Sequence, residues 1–180
     1  MGLGMRVAIV PSAPGLLPAY AGLADPFASI RDAATNAVAW LDGPVRIVGD
    51  ELGVRVGTHL LGRAPVDEAD DVLVVADGSA RRGEKAPGHL DERAFAFDQA
   101  IDTALRRGDA AALAELDELL GAQLLARGVP AFRTLGSLVL AFLTQEPRTG
   151  EPRVRAQVDY ADDPFGVQYW VARWEVPCDS

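Results

Sequence analysis

The sequence predicts a mixed α/β domain in which short parallel strands come first and an antiparallel pair of strands comes last. Residues 7–10 are continuously apolar, and so is the segment 71–76 after its first residue, Asp71, as strands buried on both faces of a sheet are. Residues 154–160 alternate polar and apolar side chains, the period of a strand with one face in water, and residues 167–176 return as a further strand. Helical apolar spacing between these runs favours helices packed on a sheet.

The first half of the chain alternates strands with helical segments. Asp25, followed by proline, caps a first helix, and residues 45–48 form a second strand. Residues 54–63 are ambiguous between a brief strand and a turn of helix. The strand at residues 71–76 runs into a polar loop over residues 77–90, and a second polar loop is expected over residues 145–153.

Three helices are predicted after the first polar loop. Asp91 caps the first, which ends at Gly108; Asp109 caps the second, which ends at Gly128; and Pro130 opens the third. The apolar residues at helical spacing are expected to face the core: Phe95, Phe97, Ile101, Leu105, Leu113, Leu116, Leu120, Leu124, Phe132, Leu135, Leu138, Val139 and Phe142.

Length and composition indicate one domain over residues 1–180. A 19.1 kDa chain that is 49% hydrophobic can build a real core, which excludes a disordered chain and a disulfide-stapled miniprotein. No apolar run is long enough for a transmembrane helix, and the prolines from Pro11 onward favour a buried strand over a signal peptide. The net charge of −9 argues against nucleic acid, and the lone Cys178 fits the reducing cytoplasm.

Ligands of open α/β sheets gather at the carboxyl ends of the strands, which directs attention to the loops after the first and third strands. Gly78 and Gly83 in the second of these loops approach a nucleotide P-loop, but Glu84 separates Gly83 from Lys85, and Pro87 would interrupt the helix that must face the phosphates. We therefore reject a P-loop. The basic residues of the loop either pair with acidic neighbours or form an anion or carboxylate site: Arg81, Arg82 and Lys85.

Residues for metal binding are scarce, because the only histidines are His59 and His89. Asp77, Glu84 and His89 are candidates for acid–base chemistry, and Ser79, His89 and Asp77 could form a nucleophilic triad. No Gly-x-Ser-x-Gly elbow accompanies that triad. The aromatic residues of the last strand are expected to pack in the core, or else to line a pocket: Phe165, Tyr169, Trp170 and Trp174.

The order of motifs resembles the class III extradiol ring-cleavage dioxygenases, in their B-subunit-like (LigB-like) superfamily. The likeness is carried by residues 77–81, residues 86–88 and residues 90–98, and it extends to Gly108-Asp109, Leu116-Asp117 and the closing segment 160–171. Residues 11–14 resemble the loop that follows the first strand in that family. The likeness covers about the last 110 residues and is nearest to an actinobacterial branch of the superfamily.

The resemblance implies a three-layer α/β/α fold and a non-haem Fe(II) site made of two histidines and one carboxylate. Ser12 and Ala80 stand where the two histidines are expected, so the resemblance carries the fold but not the dioxygenase chemistry. Alanine cannot ligate a metal, and a serine hydroxyl is a poor ligand for Fe(II). The chain is also shorter than its relatives between Val48 and Asp71.

The leading hypothesis is a cytoplasmic, metal-free LigB-like pseudoenzyme or small-molecule-binding protein with no cofactor. Its pocket would be lined by Ser12, Asp77, Ser79 and Arg81, and its partner would be a small molecule or an anion. Asp77, Ser79 and His89 are the candidates for residual catalysis. The alternatives are an active oxidoreductase of the extradiol type with relocated ligands, a metal-free hydrolase using Ser79 or His89, and a subunit of a larger assembly such as a homo-oligomer.

Overall fold

A five-stranded mixed sheet forms the centre of the structure, a computed structural model that describes residues 4–20, 22, 24–145 and 154–178. The order across the sheet is β2-β3-β1-β5-β4. The first three strands of the sequence, β1, β2 and β3, run parallel to one another, and β5 lies antiparallel to both β1 and β4. The mixed α/β fold predicted from the sequence is confirmed. The strands are β1 (Met5–Val10), β2 (Val45–Val48), β3 (Asp71–Val75), β4 (Arg155–Asp162) and β5 (Tyr169–Val176).

Helices cover both faces of this sheet. Alternate residues of β1 separate the two cores, because Val7 and Ile9 face one set of helices while Ala8 and Val10 face the other. One core is formed with α1 and α2, and the other with α3 to α6. The helices are α1 (Ala28–Ala39), α2 (Glu51–Leu61), α3 (Arg93–Arg107), α4 (Ala110–Ala114), α5 (Glu118–Gln123) and α6 (Val129–Gln145).

The two tryptophans of β5 belong to the core rather than to a pocket wall. Trp170 and Trp174 are completely buried, and each indole N–H has an acceptor. Trp170 Nε1 donates to Asp102 Oδ1 over 3.1 Å, and Trp174 Nε1 donates to the Leu105 carbonyl over 2.8 Å. A buried indole needs such a partner, so these bonds fix α3 on the sheet. Phe165, by contrast, is partly exposed and stacks on Phe27.

Residues 54–63, which were ambiguous in sequence, belong to helix α2. Asp50 caps this helix by accepting a 2.8 Å hydrogen bond from the Gly53 amide, and Gly62 ends it in the left-handed conformation. Two of the residues that face the sheet are glycines, Gly53 and Gly57, which lie directly against Val75. Because glycine adds no hydrophobicity at these buried positions, the apolar helical period is hidden in the sequence.

The N-caps predicted at Asp25 and Asp91 were wrong. Helix α1 begins after Phe27 and helix α3 after Glu92, and neither of these N-cap residues forms a side-chain capping hydrogen bond.

Two further helix predictions between residues 91 and 128 were wrong. The expected second helix is broken into α4 and α5, because Asp117 acts as a further N-cap and accepts a 2.9 Å hydrogen bond from the Leu120 amide. Phe95 does not face the core: it is 43% exposed, and the Arg82 guanidinium carbon lies 4.7 Å from its ring centroid. This cation–π contact gives the exposed ring a partner on the surface.

Two further sequence expectations concern the polar loop at residues 145–153 and transmembrane helices. Most of the polar loop predicted over residues 145–153 lies outside the described residues, and Gln145 is the last residue of α6. Within the described ranges, no helix combines the length and the apolar character that crossing a bilayer requires.

Candidate functional site

The carboxyl ends of β1, β2 and β3 lie side by side at one edge of the sheet. Val10 is in register with Val75, and Val48 with Val74. The polar residues that follow each strand are therefore gathered at this edge, where α/β proteins commonly bind ligands. They are Ser12 after β1, Asp50 after β2 and Asp77 after β3.

Ser12 and Asp77 are joined directly. The Ser12 amide donates a 2.7 Å hydrogen bond to Asp77 Oδ1. The Ser12 hydroxyl is buried, and none of the described residues forms a hydrogen bond with it. Asp77 is partly accessible, and in the described ranges its Oδ1 accepts the Ser12 amide while its Oδ2 receives no hydrogen bond. Within the described part of the chain, two oxygen atoms on these joined loops thus have no hydrogen-bond donor.

The protein environment brings the pKa of the Asp77 carboxyl group close to neutral pH. Burial raises the pKa of Asp77 from 3.8 to about 7. The hydrogen bond from the Ser12 amide lowers this pKa, but its effect is smaller than that of burial. The nearby Asp50 carboxylate raises this pKa further, and Arg127 lowers it. Burial also raises the pKa of Tyr169 on β5, and the Asp77 charge adds to that rise. Asp77 can therefore donate or accept a proton near neutral pH.

An open groove of about 430 Å³ lies next to the backbone of Asp77, although Asp77 is not one of the residues that line it. Gly128 is the link, since a Cβ atom on this residue would lie 2.6 Å from the Asp77 nitrogen and closer still to its carbonyl oxygen. The residues on either side of Gly128 both line the groove, and Arg127 also pairs with Asp50 Oδ2 over 2.7 Å. The lining residues are Asp50, Glu118, Ala122, Leu125, Ala126, Arg127, Val129 and Pro130.

Ser79 belongs to a second, separate network. Its hydroxyl donates to Asp98 Oδ2 over 2.5 Å, and its amide donates to Asp98 Oδ1 over 2.9 Å. Arg82 contacts the same carboxylate over 3.2 Å and also pairs with Asp163. Burial raises the pKa of Asp98, while Ser79 and Arg82 lower it. Among the described residues, no buried side-chain N or O atom of this cluster lacks a hydrogen-bond partner. The cluster therefore ties the loop after β3 to α3 and to the turn between β4 and β5.

The other candidates of that loop also lie apart from Asp77. Arg81 Nη1 donates to the Gln123 carbonyl over 3.0 Å, and its Nε donates to the His89 carbonyl over 3.4 Å. His89 is exposed, and its Nδ1 lies 3.3 Å from the Glu84 carbonyl oxygen. The structure therefore brings Ser12 and Asp77 together, but it does not assemble Ser79, His89 and Asp77 into a hydrogen-bonded triad.

The residues at this edge do not fit the Fe(II) site that the resemblance implies. Ala80 offers no side-chain donor, and its amide is bonded to the Leu124 carbonyl over 3.1 Å. Asp50 is engaged by both the Gly53 amide and Arg127. The remaining oxygen donors, from Ser12 and Asp77, are a poor set for Fe(II) without histidine nitrogen. Among the described residues, no group of three or more histidine, cysteine or acidic side chains converges.

Three residues of this edge were missed in the sequence. Asp50 directly follows β2, so the rule that singled out Ser12 and Asp77 could have found it as well. Arg127 and Gly128 carry no comparable signal, since they lie about fifty residues after Asp77. The packing of the segment before α6 against the end of β3 brings them there.

Neither the protein-family models nor the curated protein sequences contain a match to this chain.

Proposed function

We propose that this protein binds a small molecule at the carboxyl edge of β1, β2 and β3, in the groove beside Asp77. The carrying observation is that, among the described residues, the buried Ser12 Oγ has no hydrogen-bond partner and Asp77 Oδ2 receives no hydrogen bond, on two loops that one hydrogen bond joins. A buried polar group without a partner costs about 1–3 kcal/mol of stability, so such groups are rare outside sites that a ligand completes.

The groove next to these oxygens has the properties of a small-molecule site. Its volume of about 430 Å³ falls in the ordinary range for ligand pockets. Its walls combine apolar side chains such as Leu125 and Pro130 with the charged pair Asp50 and Arg127. This combination supports binding of a molecule with an apolar body and at least one polar group.

We further propose that the scaffold is a LigB-like one that has lost iron chemistry and acts in the cytoplasm as a binding protein or pseudoenzyme. Serine at position 12 and alanine at position 80 support this reading, because the resembled family would have histidine at both places. An Asp77 carboxyl group with a pKa of about 7 can hydrogen-bond to a ligand in its protonated form and pair with a cationic ligand in its ionised form.

A second candidate function is acid–base catalysis without a metal. The observation in its favour is the Asp77 pKa of about 7, which matches the requirement for a general acid or base at neutral pH. In this version Asp77 moves a proton of the bound molecule, and Ser12 orients it. Turnover of a compound found to bind in the groove would distinguish this enzyme from a binding protein.

The proposed binding function is tested by screening a library of small polar and apolar compounds with amide NMR spectra of the full chain. We expect the compounds that bind to shift the amide signals of Ser12, Asp77 and Gly128. Ala122→Trp fills the groove from its exposed wall and should abolish these shifts. Ala111→Trp, at an exposed position on α4, is the matched control. Binding that shifts other regions alone, or that survives Ala122→Trp, contradicts the proposal.

A further inference from the structure

We infer that the ligand is an amphipathic organic cation, a primary amine whose ammonium group pairs with Asp77 while its apolar body lies in the adjoining groove. This inference rests on the proposed binding function and specifies the class of molecule that the site takes. It is carried by the balance of charges around the groove, by the kind of hydrogen-bonding atoms left free and by the apolar walls.

The charge balance leaves one carboxyl group without a cation. Asp50 pairs with Arg127 over 2.7 Å, and Glu118 pairs with Arg133 over 2.8 Å. Within the described ranges, Asp77 has no ion pair and accepts only the amide of Ser12. When Asp77 is ionised, the site therefore carries one uncompensated negative charge in a mostly buried position. A cationic ligand supplies the missing partner.

The free hydrogen-bonding atoms of the site are acceptors. Asp77 Oδ2 accepts in its ionised form, and the Ser12 hydroxyl can rotate to accept as well. An ammonium group has three N–H donors and can satisfy both oxygens at once. A carboxylate ligand would instead meet Asp77 and Asp50, and the nearby Arg127 is already engaged. The net charge of −9 also favours the approach of cations over anions.

The groove supplies the apolar surface that the rest of such a ligand needs. Leu125 is 45% exposed, and it lies in the groove wall with Ala122, Val129 and Pro130. Each methylene that a ligand buries against these side chains should strengthen binding about fourfold. A straight alkyl chain on the amine would follow the open groove, so affinity should rise with chain length until the groove is filled.

Binding of an amine is coupled to the protonation of Asp77. Because burial holds the Asp77 pKa near 7, the free protein must release this proton below pH 7 before the ammonium can pair with the carboxylate. The other charged or titratable groups that act on Asp77 are Asp50, Arg127 and Tyr169. Affinity should therefore rise with pH across this interval and level off above it.

The experiment is calorimetric titration of the full chain with hexylamine, hexanol and hexanoate at pH 5.5 and pH 7.5. We expect hexylamine to bind about 25-fold more tightly at pH 7.5 than at pH 5.5, with proton release at pH 5.5, and to bind more tightly than either other probe. Asp77→Asn should remove both the binding preference and its pH dependence. Asp67→Asn is the control, because it makes the same change in net charge at an exposed position. Asp67 follows Val66, whose amide bonds to the first residue of β2, so it lies at the amino ends of the parallel strands, away from Asp77. This variant should leave hexylamine affinity and its pH dependence unchanged.

Each outcome bears on one of the two proposals. If hexanol or hexanoate binds in the groove as tightly as hexylamine, the amine assignment is overturned while the binding site stands. If no compound of any class shifts the amides of Ser12, Asp77 and Gly128, the binding function itself fails. Ser12→Ala is the second variant: it should weaken hexylamine binding severalfold with an unchanged fold, and unaltered affinity would overturn the role of the hydroxyl.

Discussion

The Ser12 amide donates a 2.7 Å hydrogen bond to Asp77 Oδ1, and this bond joins the loops that follow two adjacent parallel strands. The backbone of one loop thereby fixes the carboxyl group of the other. One carboxyl oxygen of Asp77 is held by the fold, and among the described residues the second receives no hydrogen bond. A ligand can therefore use the second oxygen without breaking the bond between the two loops.

The two serines of this edge should respond oppositely to removal of their hydroxyl groups. Ser12→Ala deletes a buried hydroxyl without a described partner, so it should raise the free energy of unfolding by about 1 kcal/mol. Ser79→Ala removes the shorter of the two hydrogen bonds to the buried Asp98 Oδ2 and leaves that oxygen with Arg82 alone, so it should lower that free energy by about 1–2 kcal/mol. Urea unfolding of the two variants measures both values. A loss of stability in Ser12→Ala as large as that in Ser79→Ala would contradict the assignment.

Replacement of Asp77 should change how stability depends on pH. The folded-state pKa is raised, so the stabilising contribution of protonated Asp77 is complete below about pH 4 and is lost as pH rises to about 7. Asp77→Asn cannot ionise and keeps an acceptor for the Ser12 amide. The free energy of unfolding of the variant should therefore rise relative to that of the wild type between pH 4 and pH 7. The slope is roughly 1.4 kcal/mol per pH unit at most, and the total gain is a few kcal/mol at most.

Unfolding curves of the wild type and Asp77→Asn at several pH values give this difference. Asp98 shares the upward direction of its pKa shift, but it is unchanged in both proteins and cancels in the comparison. A stability difference that stays constant from pH 4 to pH 8 would mean that Asp77 ionises normally in the folded protein.

Gly128→Ala should be strongly destabilising because its Cβ atom would overlap the Asp77 backbone. We expect a loss of about 2–3 kcal/mol, in the range of overpacking substitutions, together with a large shift of the Asp77 amide signal. Gly83→Ala is the control, since no atom lies within 4 Å of the Cβ position there, and its effect should stay within about 0.5 kcal/mol. Equal stability of the two variants would show that Gly128 does not lie against Asp77.

Metal analysis addresses the loss of iron chemistry. Protein purified without chelator and then incubated anaerobically with Fe(II) should retain far less than one iron per chain, because Ser12 and Ala80 supply no nitrogen ligand. Iron content of the desalted protein is the measurement. Stoichiometric iron accompanied by cleavage of a catechol would overturn the metal-free reading and restore the extradiol alternative.

The sequence predicted much of this fold because its signals were local. The apolar run of β3 and the cap at Asp109 needed only neighbouring residues. The predicted cap at Asp91 was wrong, because α3 begins after Glu92 and the Asp91 carboxylate binds Arg93 instead. Helix α2 escaped because its buried face uses Gly53 and Gly57, whose small size matters only against the packed Val75 side chain.

The sequence predicted the site residues that directly follow a parallel strand. It did not predict the residues that tertiary packing brings to the site. Ser12 and Asp77 follow β1 and β3, so a rule about parallel sheets found both. The same rule brought in Ser79, whose hydroxyl is held by Asp98 from a distant helix. No local pattern could reveal that partner, or the approach of Arg127 and Gly128 from the segment before α6.

The central claim is tested most directly by measuring the pKa of the Asp77 carboxyl group with carbon NMR, in the free protein and with saturating hexylamine. We expect a pKa of about 7 in the free protein, falling by about one unit or more when the ammonium pairs with the carboxylate. A free-protein pKa near 4, or a pKa that hexylamine leaves unchanged, would contradict the assignment of Asp77 as the ligand-binding group.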